Sequence, residues 1–70
     1  MPRLPDRTPK QVMRILESRG FQLDHTTGSH YVYYHPQTGY RVTVPFHHRS
    51  LPKGTLATIL KQSGISRDEM

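Results

Sequence analysis

The residues best suited to chemistry are histidines, and His30 has the most suggestive surroundings. It follows Gly28 and Ser29 and opens the run 31–34, Tyr-Val-Tyr-Tyr, whose composition favours a β-strand. A turn glycine permits close approach of a ligand, and a strand holds the ring on a rigid element. Because imidazole titrates near pH ~6.5, His30 could act as a general acid or base. The alternative is a histidine that only fills a strand end, with one ring nitrogen in water.

A metal site is the other chemistry that histidines suggest, and their spacing argues against it. The chain contains His25, His30, His35, His47 and His48. Along one predicted strand, His30 and His35 are an odd number of positions apart and point to opposite faces. His47 and His48 are adjacent, which is not a chelating arrangement, and the chain has no cysteine. We therefore expect no metal and no cofactor. The sequence also contains no phosphate-binding glycine loop, paired carboxylates or serine-nucleophile motif.

Length and composition restrict the class of protein. Seventy residues predict one domain over residues 1–70, with an ordered core of about residues 8–66. The absence of cysteine excludes a disulfide framework and fits a reducing compartment. No stretch is apolar enough to span a bilayer, and the first six residues lack the apolar centre of a secretion signal. The sequence thus predicts a soluble cytoplasmic protein.

The charge suggests a polyanionic partner. The formal net charge is +5, and between residues 7 and 61 eight Lys or Arg residues face two acids. Such an excess suits nucleic acid, because each phosphate that is neutralised releases condensed counterions. The alternative is a solvated surface that keeps a small domain soluble, for which this net charge is ordinary.

Two helices flank the predicted strands. Thr8 can cap the first helix, Pro9 suits its first position, Gln11 completes a capping box and Gly20 ends it, which predicts a helix over 9–19. A second helix is predicted over 53–63, with its buried face formed by Leu56, Ile59 and Leu60. It ends at Gly64. Residues 66–69 have the spacing of a further capping box, and we expect a frayed turn there.

Three short strands are predicted between the helices. Residues 21–25 alternate apolar and polar, as in a strand with one buried face, and strands over 30–35 and 40–44 follow after turns with Gly28 and Gly39. The result is an α+β fold in the order α-β-β-β-α, with two helices packed on one face of a three-stranded antiparallel sheet. The other face stays available to a ligand.

Several of these segments together resemble one family. They are Gly20-Phe21, the turn 28–30, the segment 42–47 (Val-Thr-Val-Pro-Phe-His), the segment 53–56 (Lys-Gly-Thr-Leu) and the segment 59–65 (Ile-Leu-Lys-Gln-Ser-Gly-Ile). In order and spacing they are similar to the HicA toxins of bacterial HicA–HicB toxin–antitoxin pairs. The resemblance covers about residues 8–66. Departures are the proline-containing lead-in, the doubled His47-His48 and the short tail after Ile65.

The resemblance implies a fold and an activity. The fold would be similar to a double-stranded-RNA-binding domain, and the activity would be ribosome-independent cleavage of mRNA. The catalytic histidine of the family, which follows a glycine and a serine, corresponds to His30. A HicB-type antitoxin would neutralise the toxin by occluding its site, and DNA would be a partner only through the antitoxin.

Histidine chemistry suffices for RNA cleavage without a metal, because the 2′-hydroxyl of RNA is the nucleophile. We expect His30 as general base or acid and His47 as a possible second proton-transfer group. The alternative for His47 is a hydrogen bond that fixes its loop. Gly28, Ser29, Arg49 and Lys53 are candidates for phosphate binding.

Two questions stay open at this stage. Tyr31 and Tyr33 share one strand face, and Tyr34 lies on the other. The tyrosines of one face either stack on RNA bases or belong to the core. The alternative function is a non-catalytic RNA-binding module of the same fold. A third reading is a degenerate toxin that only binds its partner.

Overall fold

The helix α1 spans Pro9–Ser18 in the computed structural model, which describes residues 6–47 and 49–69. The Thr8 hydroxyl accepts from the Gln11 amide at 3.3 Å, and the Gln11 side chain accepts from the Thr8 amide at 3.0 Å. Gly20 has φ +93°, and the amide of Phe21 returns to the Leu16 carbonyl at 3.0 Å. The predicted capping box and helix are confirmed.

The strands form an antiparallel meander. They are β1 (Gln22–Thr27), β2 (His30–Tyr34) and β3 (Arg41–Pro45), in the order β1-β2-β3. Val32 at the centre of β2 pairs with His25 of β1 and with Thr43 of β3. The predicted three-stranded sheet is confirmed.

The prediction of a buried face on residues 21–25 is wrong. Phe21 is buried, but it precedes β1, and every residue of β1 is exposed, including Leu23 at 47%. The physical reason is the position of β1 in the sheet. The helices lie against β3 at one edge, and β1 is the opposite edge, separated from β3 by β2. A β-bulge at Asp24 also shifts the register between Leu23 and His25 and breaks the alternation of faces.

The helix α2 spans Lys53–Ser63, as predicted, and buries Leu56, Ile59 and Leu60. Gly64 ends it with φ +73°. Beyond it, Arg67–Glu69 forms a single 3-10 turn, and Glu69 makes an ion pair with Arg19 beyond the end of α1. Within the described residues, no helix is long and apolar enough to cross a membrane.

The core lies between the two helices and one face of the sheet. Its sheet side consists of Tyr33, Val42 and Val44, all at most 1% exposed. These side chains meet Val12 and Leu16 of α1 and the apolar face of α2. The α-β-β-β-α architecture is confirmed and is consistent with a fold like that of a double-stranded-RNA-binding domain. Neither of the two described helices, α1 and α2, covers the opposite face of the sheet.

Candidate active site

A tight hairpin sets the position of His30. Thr27 pairs with His30, so that only Gly28 and Ser29 form the loop between β1 and β2. Gly28 has φ +56°, and no non-glycine residue in the described chain has a positive φ, which gives the pattern of a type II′ turn. A Cβ at Gly28 would meet nothing within 4 Å. The turn therefore needs glycine for its backbone conformation, and the space beside it is open to a ligand.

The His30 side chain is exposed on the face of the sheet away from the helices. It pairs with Pro45 across the ladder, whereas the next residue, Tyr31, packs against the core side. Its imidazole makes no hydrogen bond or ion pair with any other described residue. Both ring nitrogens are thus accessible to a substrate, and the backbone that carries them is held in a sheet.

His47 lies at the same end of the sheet. The Phe46 amide donates to the Ser29 carbonyl at 2.7 Å, which extends the β2–β3 ladder beyond His30. One residue further on, the Nδ1 atom of His47 accepts a hydrogen bond from the Arg49 amide at 3.3 Å. Gly28, Ser29, His30, His47 and Arg49 are therefore close together in the fold. His48 lies outside the described residues.

Both helices begin at this end as well. The Leu51 amide before α2 donates to the carbonyl of Arg7 before α1 at 2.7 Å. At the opposite end, Gly20 after α1 lies against His35, and Gly64 after α2 lies against Tyr40. Helix N-termini carry partial positive charge, so two parallel helices direct theirs toward the His30 end. In addition, Pro52 at the N-cap of α2 makes no side-chain capping hydrogen bond, and the first turn of α2 has no acidic residue.

Lys53 is at this end but is not a simple free cation. Its Nζ lies 2.8 Å from Oδ1 of Asp6, and this hydrogen bond lowers the pKa of the Asp6 carboxyl. An ammonium group has three N–H donors, so Lys53 can bind a phosphate oxygen as well as Asp6, but Asp6 offsets part of its positive charge. Arg49 is exposed.

A cluster on the open sheet face went unrecognised in the sequence. The Arg41 guanidinium lies 4.7 Å from the centre of the Tyr34 ring, and its Nη1 is 3.4 Å from Oδ2 of Asp24. His25 Nδ1 lies 2.6 Å from the same oxygen. The hydrogen bond from His25, with the nearby charge of Arg41, lowers the pKa of Asp24. The sequence indicated only, by alternation, that Arg41 lies on one face of β3. Nothing in it predicted the bulge that brings Asp24 next to Arg41.

The comparison with protein families decides the affiliation. The sequence model of the family described as "HicA toxin of bacterial toxin-antitoxin" matches residues 9–65. The chain belongs to the HicA toxin family. No curated protein sequence matched it. The chain is therefore the toxin of a toxin–antitoxin system, and the family implies an antitoxin partner. The match begins at the first residue of α1 and includes all the candidate site residues.

The remaining described histidine of this HicA-family toxin, His35, has a structural role. Its Nε2 donates to the Arg19 carbonyl at 3.1 Å, and its Nδ1 accepts from the amides of Gln37 and Thr38. Its ring also contacts Phe21 edge-on, at 5.0 Å between centroids. His35 thus points to the helix side of the sheet and His30 to the open side. Among the residues that the structure describes, no three His, Asp or Glu side chains are grouped as metal ligands.

A shallow hollow of the toxin lies away from this site. It has a volume of about 400 Å³ and is lined by the second half of α2 and the residues after it, from Ala57 to Arg67. None of the described residues that line it is a histidine or an acidic residue.

Proposed function

We propose that this HicA-family toxin is an endoribonuclease that cleaves mRNA by histidine acid–base chemistry and needs no metal. The observation that carries the proposal is the location of His30, exposed at the start of a sheet strand and at the end where both helices begin. An imidazole that is carried by a rigid strand and open to substrate can move a proton, and the positive ends of two helices favour a phosphate beside it.

The proposed reaction uses the RNA's own nucleophile. His30 removes the proton of the 2′-hydroxyl, whose oxygen forms a bond to the adjacent phosphorus as the bond from phosphorus to the 5′ oxygen breaks. The products are a 2′,3′-cyclic phosphate and a 5′-hydroxyl end. Since DNA lacks the 2′-hydroxyl, it cannot react in this way.

The leaving 5′ oxygen must receive a proton. In the neutral ring of His47, Nδ1 accepts from Arg49 and Nε2 carries the proton, so Nε2 can donate a hydrogen bond to the phosphate. A fully protonated His47 could not keep the bond from Arg49, because both nitrogens would then be donors. We infer that His47 positions its loop and binds the phosphate, and that water at the exposed site protonates the leaving oxygen. A general-acid role for His47 requires the bond to Arg49 to open first.

Phosphate binding is assigned to the groups around the turn. The space beside Gly28 is open, which lets an RNA phosphate approach the backbone of Gly28 and Ser29. Arg49 and Lys53 supply positive charge, that of Lys53 partly offset by Asp6. Charge stabilisation of the transition state is commonly the largest catalytic contribution, so these groups have a defined task.

The antitoxin partner is proposed to be of the HicB type. It would neutralise the toxin by covering the His30 end and would provide the link to DNA. Since the substrate is mRNA, the toxin would act in the cytoplasm.

A second candidate function is an RNA-binding module without catalysis. It is favoured by one observation, that no described residue hydrogen-bonds to the His30 ring and orients it. Many catalytic histidines have such a partner. In this protein the substrate itself would have to orient the ring.

The test compares the wild type with His30→Ala on a long unstructured RNA and on DNA of the same sequence, with excess chelator. We expect only the wild type to cleave, only RNA to be cut, and the fragments to carry cyclic-phosphate or 3′-phosphate ends. Because the ring makes no hydrogen bond or ion pair with the described residues, the variant should unfold at the same urea concentration and bind RNA nearly as well. Cleavage by the variant would contradict the proposal. RNA binding without cleavage by the wild type would favour the binding module.

A further inference from the structure

We propose that Arg41, supported by Tyr34, is a stacking platform for an RNA base a few nucleotides from the cleaved bond. The inference rests on the proposed function and adds to it a site that determines which RNA is bound productively. Its occupant is a single-stranded stretch of RNA that crosses the open face of the sheet from His30.

The platform is built in layers. The Tyr34 ring lies on the open face of β2, and the Arg41 guanidinium covers it with 4.7 Å between Cζ and the ring centre. Asp24, which is held in turn by His25, fixes one edge of the guanidinium through Nη1. The Arg41 side chain is 58% exposed. The guanidinium is thus contacted by the ring below it and by Asp24 at one side, and more than half of the side chain is accessible to a base.

Arginine planes and aromatic rings are the surfaces on which single-stranded bases stack. A guanidinium whose orientation is already fixed loses little conformational freedom when a base binds, which favours binding. Its charge is shared with Asp24, so the site suits the flat face of a base better than a phosphate. Every base has a flat π-face that can stack in this way, and single-stranded RNA is therefore the favoured occupant.

The platform is continuous with the proposed site. His30 and Tyr34 belong to the same strand and the same face, because residues 30, 32 and 34 alternate with the core-facing Tyr31 and Tyr33. They lie about 13 Å apart along the strand. A chain whose scissile phosphate is at His30 can therefore place a neighbouring base on Arg41 only if it extends beyond the dinucleotide.

The test measures cleavage of a dinucleotide and of octanucleotides extended on the 5′ or the 3′ side of one cleavable bond. For the wild type we expect kcat/KM to rise with extension on one side. Arg41→Lys keeps the charge and loses the planar guanidinium. It should lower kcat/KM for the extended octanucleotide by about tenfold, which removes most of the rise, and leave kcat/KM for the dinucleotide unchanged. Tyr34→Phe should retain the rise and Tyr34→Leu should reduce it. Arg14→Lys, an exposed arginine on α1, is the matched control and should behave as the wild type.

The outcomes separate the two proposals. If the wild type cleaves and Arg41→Lys responds to length as the wild type does, the platform is wrong. An equal loss on dinucleotide and octanucleotide would also overturn it, and so would a variant that loses only antitoxin binding. If the wild type cleaves nothing, the proposed function fails, and binding of a 2′-O-methyl octanucleotide by fluorescence anisotropy then tests the platform alone. Equal affinity of wild type and Arg41→Lys in that assay would overturn the platform as well.

Discussion

The His35 Nε2 atom donates a hydrogen bond to the Arg19 carbonyl at 3.1 Å and thereby ties the β2–β3 hairpin to the end of α1. The contact leaves no space at Gly20, where an added Cβ would lie 2.9 Å from the same nitrogen. Helix end, hairpin and core meet at this point, since the His35 ring also rests against the buried Phe21.

Replacement of Gly20 by alanine should therefore be strongly destabilising. The residue has φ +93°, which costs an L-amino acid about 1 to 2 kcal/mol, and the new methyl group would displace His35 from its hydrogen bonds. We expect Gly20→Ala to lower the free energy of unfolding by about 3 kcal/mol, measured by urea denaturation. Gly39→Ala is the matched control, because φ is +78° and a Cβ would meet nothing within 4 Å; it should cost about 1 kcal/mol. Equal costs for the two variants would show that His35 does not constrain Gly20.

The local elements could be predicted because each is specified by nearby residues. The capping box of Thr8 and Gln11 and the glycines after both helices fixed the helix limits within one residue. The burial of β1 could not be predicted, because alternation indicates faces but does not reveal which strand lies at an edge. The bulge at Asp24 likewise has no signal in a six-residue strand.

For the candidate site, the sequence indicated His30 and its turn, since Gly28 and Ser29 carry a local signature. It could not predict that both helices start at the His30 end, which depends on the long-range contact between Leu51 and Arg7. The ion pair of Lys53 with Asp6 joins residues far apart in the chain and was missed for the same reason. Alternation alone did not show which tyrosines belong to the core. The fold places Tyr33 in the core and Tyr34 on the open face.

Tyr33 should make stability fall at high pH. Its side chain is 1% exposed and its hydroxyl donates to Glu17 at 3.3 Å. Burial, with the charge of Glu17, raises its pKa from 10.0 to about 12. The folded state thus holds this proton more tightly than the unfolded state. The contribution is complete below pH 10 and is lost as the pH rises from about 10 through 12, by about 2 to 3 kcal/mol.

The measurement is urea unfolding between pH 9 and pH 12, with Tyr33→Phe as the control. The variant removes the titrating hydroxyl and retains the ring, so its stability should fall less over this range. The difference between the two curves isolates Tyr33 from the lysines and the other tyrosines. Parallel curves would mean that Tyr33 ionises equally easily in both states.

Loss of the α1 cap should weaken the fold near the candidate site. Thr8→Ala removes the hydroxyl that accepts from the Gln11 amide, and such losses typically cost about 1 kcal/mol. Thr8→Ser retains a capping hydroxyl and should cost little. Thermal unfolding of both variants checks this, and an alanine variant as stable as the serine variant would contradict a capping contribution from Thr8.

His47 offers the most discriminating test of the proposed chemistry, because two substitutions separate its ring nitrogens. Asparagine can keep an acceptor near the position of Nδ1 and so retain the bond from the Arg49 amide, whereas alanine loses it. If His47 positions its loop and donates only a hydrogen bond, His47→Asn should retain at least about a tenth of the wild-type cleavage rate, and His47→Ala should lose more. The wild-type pH–rate profile should then have no descending limb that depends on His47. A bell-shaped profile that loses its descending limb in His47→Asn, with a rate loss of about 10² or more, would instead establish His47 as the general acid. His30→Ala, which should abolish cleavage, sets the baseline against which both variants are read.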